Sequence, residues 1–287
     1  MVLSHSIEEK MFVHHLNCAT QCVIGGRLVS GHGSLWQRAP LVDHCLLLET
    51  SSGLVLVDTG LGVQDIENPL ERLGKRFLIL AQPRLDQEET ALRQVERLGF
   101  SKNDVRHIIV THLDLDHAGG LSDFPQAKVH LLEEEYIAAT APNSFTDRYR
   151  YRTCQWQHNP QWVRYKVEGE CWFGFECVRQ MEELPPEILL VPLTGHTQGH
   201  TGVAIYTQGK WLLHAGDAYY FQGEMNSSQS YCPLGLTLVQ RLGAVDDRAR
   251  RRNQERLRQL QREHTGEVDI FCAHDPIEFN HWATLRY

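Results

Sequence analysis

Apolar and polar positions along the chain first predict a set of β-strands. Residues 45–50 and 54–58 are two apolar-rich runs on either side of Ser51-Ser-Gly53, which predicts a hairpin. Residues 106–110 form a further strand that leads into the most polar turn of the chain. Similar runs predict strands at residues 128–132, 188–191, 203–207 and 211–214.

Helical periodicity appears between these runs. Ala91, Leu92, Val95 and Leu98 share one face of a helix predicted over residues 87–98, and Gly99 ends it. A helix is also expected from Glu133, and a long arginine-rich one over residues 246–264. Two runs of strands, each followed by helix, favour a β-sandwich with helices covering both outer faces.

The strand at residues 106–110 ends in Thr111-His-Leu-Asp-Leu-Asp-His-Ala-Gly-Gly120. Residues two apart on an extended segment point to the same side, so His112 and Asp114 can converge on one point. Asp116 and His117 lie in the turn that follows and can face a second point. Imidazole nitrogens and carboxylate oxygens are ligands of zinc, manganese and iron, so this segment predicts a metal site.

Three later strand ends repeat the arrangement. His196, Asp217 and His274 each follow an apolar run and a glycine or another small residue. Ligands that arrive from several strand ends are typical of rigid metal centres. We expect His200 and Asp58 to support this site rather than bind metal.

Taken together, these motifs resemble the metallo-β-lactamase-fold superfamily, whose signature is His-x-His-x-Asp-His followed by a later His, an Asp and a final His. The resemblance covers about residues 41–279 and includes Val57-Asp-Thr-Gly60. It implies an α+β fold, a four-layer αβ/βα sandwich, and a site with two divalent transition-metal ions. The matching positions are His112, Asp116, His117, His196, Asp217 and His274.

One position departs from the signature, because Asp114 stands where the family has its second histidine. If Asp114 binds metal, one site comprises His112, Asp114 and His196, the other Asp116, His117 and His274, and Asp217 bridges both. The extra carboxylate makes the metal core formally neutral and leaves manganese or iron as alternatives to zinc. If Asp114 does not bind metal, the first site is under-coordinated or empty.

The chain is most similar to the N-acyl homoserine lactone lactonase branch, in which a tyrosine three residues after the bridging aspartate hydrogen-bonds the substrate carbonyl. Tyr220 has this offset from Asp217, although it could also simply pack beneath the site. The implied function is a hydrolase that uses a metal-bridging hydroxide to open a neutral ester or lactone. Tyr220 would stabilise the developing charge, and Asp116 or Asp217 would accept and return a proton.

Two other functions stay open at this stage. A thioesterase of the hydroxyacylglutathione hydrolase type shares the ligands, but would need basic residues grouped near the C-terminus. The other is a non-catalytic metal-binding scaffold with a degenerate site, and Asp114 is the one feature of the sequence that suggests it.

Composition narrows the class of protein. The chain has 287 residues, and the motifs span it so widely that we expect a single domain over residues 1–287, with an aromatic-rich insertion at about 144–181. These aromatics could form a pocket wall or a hydrophobic cluster. A net charge of −8 argues against nucleic acid as a partner, and no apolar run is long enough for a membrane span. Eight scattered cysteines and no secretion signal predict a cytoplasmic protein, and a homodimer stays open.

Overall fold

The first sheet contains six strands in the order of the chain. β1 pairs with β2, and β2 with β3, in antiparallel fashion, whereas β3, β4, β5 and β6 are parallel to one another. The computed structural model describes residues 11–142, 144–167, 169–181, 183–226 and 229–285. The strands are β1 (Phe12–Ile24), β2 (Arg38–Thr50), β3 (Gly53–Val57), β4 (Val105–Ile109), β5 (Lys128–Leu132) and β6 (Gln161–Tyr165).

The second sheet also has six strands, in the order β12-β11-β10-β9-β8-β7. Its pairs are antiparallel except for β11 and β12, which are parallel. The strands are β7 (Glu170–Trp172), β8 (Phe175–Gln180), β9 (Ile188–Pro192), β10 (Thr201–Thr207), β11 (Lys210–His214) and β12 (Val268–Phe271).

Helices connect the strands and cover the sheets. The longest is α10, which carries Leu257 and Leu260 on its buried side. The helices are α1 (Arg27–Ser30), α2 (Val63–Glu67), α3 (Pro69–Arg72), α4 (Gly74–Leu80), α5 (Ala91–Arg97), α6 (Leu115–Ala118), α7 (Glu133–Thr140), α8 (Phe145–Arg150), α9 (Leu234–Gly243), α10 (Asp247–Glu263) and α11 (Pro276–Ala283).

Alternation along β2 shows how the layers are built. Leu46 and Leu48 point into the core between the two sheets, where they join Ile205 of the second sheet. Leu47 points to the opposite face and packs with Val95 of α5. A third core lies between the second sheet and α10. Since side chains alternate faces along a strand, both faces of the sheet must be covered.

The structure therefore has the predicted four-layer αβ/βα sandwich. It also confirms the predicted hairpin, the strand that ends at Leu132 and the helix that begins at Glu133. The aromatic-rich segment at about 144–181 supplies β6 to one sheet and β7 and β8 to the other. Most of its described aromatic rings lie in or against the cores, Trp156, Tyr165 and Phe175 among them. Within the described residues, no helix combines the length and apolar character that a membrane span requires.

Candidate metal centre

Four strands end shortly before a cluster of histidines and aspartates. β4 ends at Ile109, three residues before His112. β11 and β12 likewise end three residues before Asp217 and His274, and the loop after β9 carries His196. Because these strand ends meet at one edge of the sandwich, side chains far apart in the sequence come together there.

Asp217 lies in the middle of this cluster, and its two carboxylate oxygens face different imidazoles. Oδ2 lies 3.4 Å from Nε2 of His196 and 3.8 Å from Nε2 of His112. Oδ1 lies 3.2 Å from Nε2 of His117 and 3.2 Å from Nε2 of His274. One carboxylate therefore faces two candidate cation positions.

Asp114 and Asp116 each stand beside one pair of these imidazoles. Asp114 Oδ2 lies 3.0 Å from Nε2 of His196 and 3.5 Å from Nε2 of His112, and Asp116 Oδ2 lies 3.9 Å from Nε2 of His274. The candidate ligand atoms of each set lie within 4.8 Å of one another. We call the two sets the first trio (His112, Asp114, His196) and the second trio (Asp116, His117, His274). The structure thus brings together all seven residues singled out from the sequence.

Hydrogen bonds orient the rings of the second trio. Nδ1 of His117 lies 2.8 Å from Oδ2 of Asp58, and Nδ1 of His274 lies 2.8 Å from the carbonyl oxygen of Val42. These oxygens can only accept, so each Nδ1 carries the proton. With Nδ1 committed in this way, Nε2 is the nitrogen of each ring that faces the cluster and would bind a metal ion once its own proton is displaced.

Asp58 extends this support to the first trio through Thr111. The N–H and hydroxyl of Thr111 donate to the Asp58 carboxylate at 2.7 and 2.8 Å, and its Oγ1 lies 2.9 Å from Nδ1 of His112. Asp58 has a φ of 57°, in the left-handed region that aspartate tolerates better than most residues. One buried carboxylate therefore positions histidines of both trios.

His200 is committed to the backbone around Asp217. Its Nδ1 lies 2.9 Å from the carbonyl oxygen of Leu193, and its Nε2 accepts the N–H of Asp217 at 2.8 Å. Glycine at position 216 allows the His200 ring to approach the backbone this closely, because a Cβ there would lie 2.6 Å from His200 Nε2. With both nitrogens occupied, His200 places Asp217 rather than facing either trio.

Several atoms at the centre of the cluster are buried without a hydrogen-bond partner. They are Nε2 of His112, Nε2 of His117 and Oδ1 of Asp217. Each such atom left without a partner costs about 1–3 kcal/mol. Cations at the two trios would satisfy all three atoms with the nitrogen and oxygen donors that zinc, manganese and iron accept, so the residues present fit metal ions.

Opposite charges outweigh the effect of burial on the pKa values of His117, His274 and Asp217. Burial alone would lower the pKa of His117, but Asp217 and Asp58 hold it well above its usual range. Burial would also lower the pKa of His274, but Asp217 and Asp43 raise it well above that range. Burial would raise the pKa of Asp217, yet the surrounding imidazoles, that of His274 foremost, hold it well below its usual range. His117 and His274 thus favour the positively charged form beside the ionised carboxylate of Asp217.

Tyr220 lies at the edge of the cluster, half-buried. Its hydroxyl donates to Oδ2 of Asp217 at 2.7 Å, and its ring centroid lies 4.8 Å from that of His274. Burial, and then the charge of Asp217, raise the pKa of Tyr220 well above its usual range. The phenol therefore stays protonated and can act as a hydrogen-bond donor at this edge.

Arg150, at the end of α8, is a member of the cluster that the sequence did not reveal. Its Nη1 lies 3.4 Å from Oδ1 of Asp114 and donates to the carbonyl oxygen of His196 at 3.1 Å. Its Nη2 bonds the carbonyl oxygen of Gly243 at the end of α9. Burial, and then Arg150, lower the pKa of His196 to about 4. No local motif marks this arginine, because its partners come from distant segments.

Gln21 of β1 is another polar neighbour that sequence reasoning missed. Its Nε2 donates to Oδ2 of Asp116 at 2.7 Å and to Oδ1 of Asp43 at 3.0 Å. The amide thus fixes the same oxygen of Asp116 that lies 3.9 Å from Nε2 of His274.

Glu135 of α7 joins the two loops that carry the first trio. Its Oε1 accepts the N–H of Leu113 at 2.9 Å, and its Oε2 accepts the hydroxyl of Thr197 at 2.6 Å and the N–H of Gly199 at 3.1 Å. The residue is fully buried. The sequence marks it only as the third of three glutamates at the start of a helix, so its role could not be separated from that of its neighbours.

Comparisons with known proteins agree with this geometry. Residues 39–159 match the family model of the metallo-beta-lactamase superfamily. A probable metallo-hydrolase of Mycobacterium tuberculosis is 40% identical over 264 residues, which is 92% of this chain and 80% of that protein. An N-acyl homoserine lactonase of Bacillus cereus is 30% identical over 209 residues, which is 70% of this chain and 75% of the lactonase.

Similar folds are found among solved structures. An N-acyl homoserine lactone hydrolase, solved with N-hexanoyl-L-homoserine at its catalytic metal centre, superimposes with a TM-score of 0.69 over 95% of this chain and 96% of that one, at 22% identity. The chain belongs to the metallo-β-lactamase superfamily. With its cluster of histidines and aspartates, it is a metal-dependent hydrolase of that superfamily.

Proposed function

We propose that this hydrolase holds two divalent transition-metal ions, zinc in the first instance, and opens a neutral ester or lactone. The first trio would hold one ion and the second trio the other, with Asp217 shared between them. The observation that carries the proposal is the position of the Asp217 carboxylate, whose two oxygens each face the imidazoles of a different trio.

Ions bound there would lower the pKa of a bound water toward about 7 and polarise a carbonyl group. The chain's own residues fix the geometry of the reaction. Asp58 and Val42 keep the rings of His117 and His274 in the metal-binding tautomer. No serine or cysteine nucleophile is needed for such a hydrolysis.

Tyr220 would stabilise the transition state. Its protonated hydroxyl, now 2.7 Å from Oδ2 of Asp217, needs only a rotation to donate instead to a substrate carbonyl oxygen at the edge of the cluster. A hydrogen bond of this kind strengthens as negative charge develops on that oxygen.

Asp116 would move the proton. Its side chain is 14% exposed, and the Gln21 amide at 2.7 Å fixes its Oδ2. A carboxylate held this way at the solvent-facing side can accept a proton from the attacking water and return it to the leaving alkoxide.

The charges at the entrance support a neutral substrate. Asp114 and Asp116 are the most exposed members of the cluster, at 18% and 14% of their side chains. Carboxylates at an entrance disfavour anionic substrates such as phosphodiesters. The names of the Bacillus relatives point to a lactone.

Turnover of a substrate panel tests this proposal. The purified protein would be stripped with a chelator, reloaded with zinc, manganese or iron, and assayed on γ-lactones with and without N-acyl substituents, p-nitrophenyl acetate, S-lactoylglutathione and bis-p-nitrophenyl phosphate. We expect hydrolysis of lactones or the neutral ester by the loaded protein, and none by the stripped protein. Loaded protein that hydrolyses only the thioester would favour the thioesterase, and loaded protein inactive on the whole panel would favour a non-catalytic scaffold.

The cytoplasmic location remains a proposal too. The seven cysteines whose side chains the structure describes are all free thiols, as expected in a reducing compartment.

A further inference from the structure

Arg150 makes contacts that set the first trio apart from the second. Its side chain is 8% exposed, and its guanidinium contacts the side chain of Asp114 and the backbone of His196, which are two of the three members of the first trio. Its third contact, with the carbonyl oxygen of Gly243, ties the group to the end of α9. Arginine is always charged, so a permanent cation lies beside this set of ligands.

The three carboxylates of the cluster have different neighbours. Asp114 faces the guanidinium of Arg150, whereas Asp116 faces the neutral amide of Gln21 and Asp217 faces the neutral hydroxyl of Tyr220. Among the described residues, Asp114 is thus the one carboxylate of the cluster that forms an ion pair with an arginine.

The two oxygens of Asp114 also divide their contacts. Oδ2 lies on the side of the imidazoles, 3.0 Å from Nε2 of His196 and 3.5 Å from Nε2 of His112. Oδ1 lies on the side of Arg150, at 3.4 Å. One oxygen is therefore available to a cation while the other forms an ion pair with the guanidinium.

We propose that Asp114 and Arg150 act together as one charge-neutral ligand of the first trio, equivalent in charge to the imidazoles of His112 and His196 beside it. Arg150 is then a positioning residue, which acts on the metal through Asp114. This inference rests on the proposed metal function of the site.

The physical reason is charge balance within a buried site. In the wild type, the charge of Asp114 offsets the repulsion between Arg150 and a divalent cation, and Arg150 keeps Oδ2 of Asp114 on the side of the imidazoles. A guanidinium without its carboxylate would only repel the cation. Positions 114 and 150 together contribute a neutral donor when the carboxylate and the guanidinium are both present. They also do so when both charged groups have been replaced by neutral ones. The effect of removing Arg150 on metal binding should therefore depend on the residue at position 114.

A double-mutant cycle on the full-length protein tests this dependence. Zinc affinity and stoichiometry would be measured by competition with a chromophoric chelator for the wild type, Arg150→Gln, Asp114→His, and the double variant. Arg150→Lys serves as the conservative control that keeps the charge. Thermal unfolding of each chelator-stripped variant reports whether it folds.

We expect Arg150→Gln to weaken zinc binding at the first trio in the wild type, because Asp114 loses the contact that keeps its Oδ2 beside the imidazoles. The same change should strengthen zinc binding in the Asp114→His background, where it removes an uncompensated cation. The two effects should differ by at least about tenfold, which corresponds to roughly 1.4 kcal/mol of coupling. Arg150→Lys should retain more zinc affinity than Arg150→Gln.

A difference of less than about tenfold would overturn the inference, because an arginine that merely ties α8 to α9 would act equally in both backgrounds. If the Asp114→His variants fail to fold, an Arg150→Lys affinity no better than that of Arg150→Gln would overturn it as well. A wild-type protein that binds no zinc, manganese or iron would instead contradict the proposed function itself.

Discussion

Oδ2 of Asp58 lies 2.8 Å from Nδ1 of His117, and this contact fixes which ring nitrogen faces the metal centre. Asp58→Asn should disturb it without disturbing the backbone, because asparagine also tolerates the left-handed conformation that Asp58 adopts. The amide cannot stabilise the required tautomer as a carboxylate does. We expect zinc affinity at the second trio to fall by roughly 10–100-fold, measured by chelator competition.

Asp86→Asn is a matched control for this change. Asp86 is an exposed carboxylate that caps the short turn Gln87–Glu89, and asparagine caps equally well. It should leave zinc affinity unchanged. An Asp58→Asn variant with wild-type zinc affinity would show that this carboxylate does not orient a ligand.

Glu135→Gln should destabilise the protein. The carboxylate accepts from Leu113, Thr197 and Gly199 through both oxygens, whereas an amide would direct its own donors at one of these groups. We expect the free energy of unfolding of the chelator-stripped protein, measured in urea, to fall by about 1–3 kcal/mol.

The neighbouring Glu133→Gln provides the comparison for Glu135. Glu133 is on the same turn of α7, where it forms a partly exposed ion pair with Arg164 at 3.7 Å. Its loss should cost at most about 1 kcal/mol. Equal destabilisation by the two changes would refute the role given to Glu135.

Tyr220→Phe should lower kcat while leaving metal content unchanged. The hydroxyl is placed to donate a hydrogen bond to the substrate carbonyl oxygen as negative charge develops on it. Its loss should therefore reduce kcat by about 10²-fold with little change in KM. Steady-state kinetics on the best substrate of the panel, with elemental analysis alongside, measure both effects.

Tyr219→Phe is the control for Tyr220. The hydroxyl of Tyr219 donates to Glu278 at 3.0 Å, and its ring belongs to the third core, between the second sheet and α10. Its removal should lower stability and spare kcat. If Tyr220→Phe retained full kcat, its tyrosine would be a packing residue beneath the site.

Stability should fall on acidification because His130 is buried as the neutral form. Burial, followed by His107, lowers its pKa from 6.5 to about 3. The unfolded chain takes up the proton first, so this contribution is complete above pH 6.5 and is lost progressively as the pH falls from 6.5 toward 3.

The corresponding test compares the wild type with His130→Gln, both stripped of metal. Between pH 8 and 5.5 the wild type should lose about 1.4 kcal/mol more unfolding free energy than the variant. Each protein is compared with itself at pH 8, which cancels the hydrogen bonds of His130 to His107 and Tyr165 that the variant loses. Identical pH slopes would show that folding does not lower the pKa of His130.

Local patterns in the sequence were enough to predict much of the fold. The predicted strand at residues 128–132 and the helix beginning at Glu133 occur as predicted, because periodicity and neighbouring side chains determine them. The longest omission is β1, whose alternation is broken by a register shift between Asn17 and Thr20. A bulge moves later side chains to the opposite face, so a period-two search fails there.

The candidate ligands could be found because each follows an apolar run at a strand end. Arg150, Glu135 and Gln21 could not, because their roles come from contacts across 46, 62 and 95 positions of the sequence, respectively. The aromatic-rich segment was equally ambiguous, since a core and a pocket wall have the same composition. Trp156 and Phe175 lie in cores that only the paired sheets create.

Elemental analysis of the purified protein tests the central claim most directly, because the two faces of Asp217 imply two cation positions. We expect about two transition-metal ions per chain in the wild type, and fewer in Asp217→Asn. A wild-type protein that retains one ion or none after incubation with excess zinc, manganese or iron would contradict a dinuclear centre.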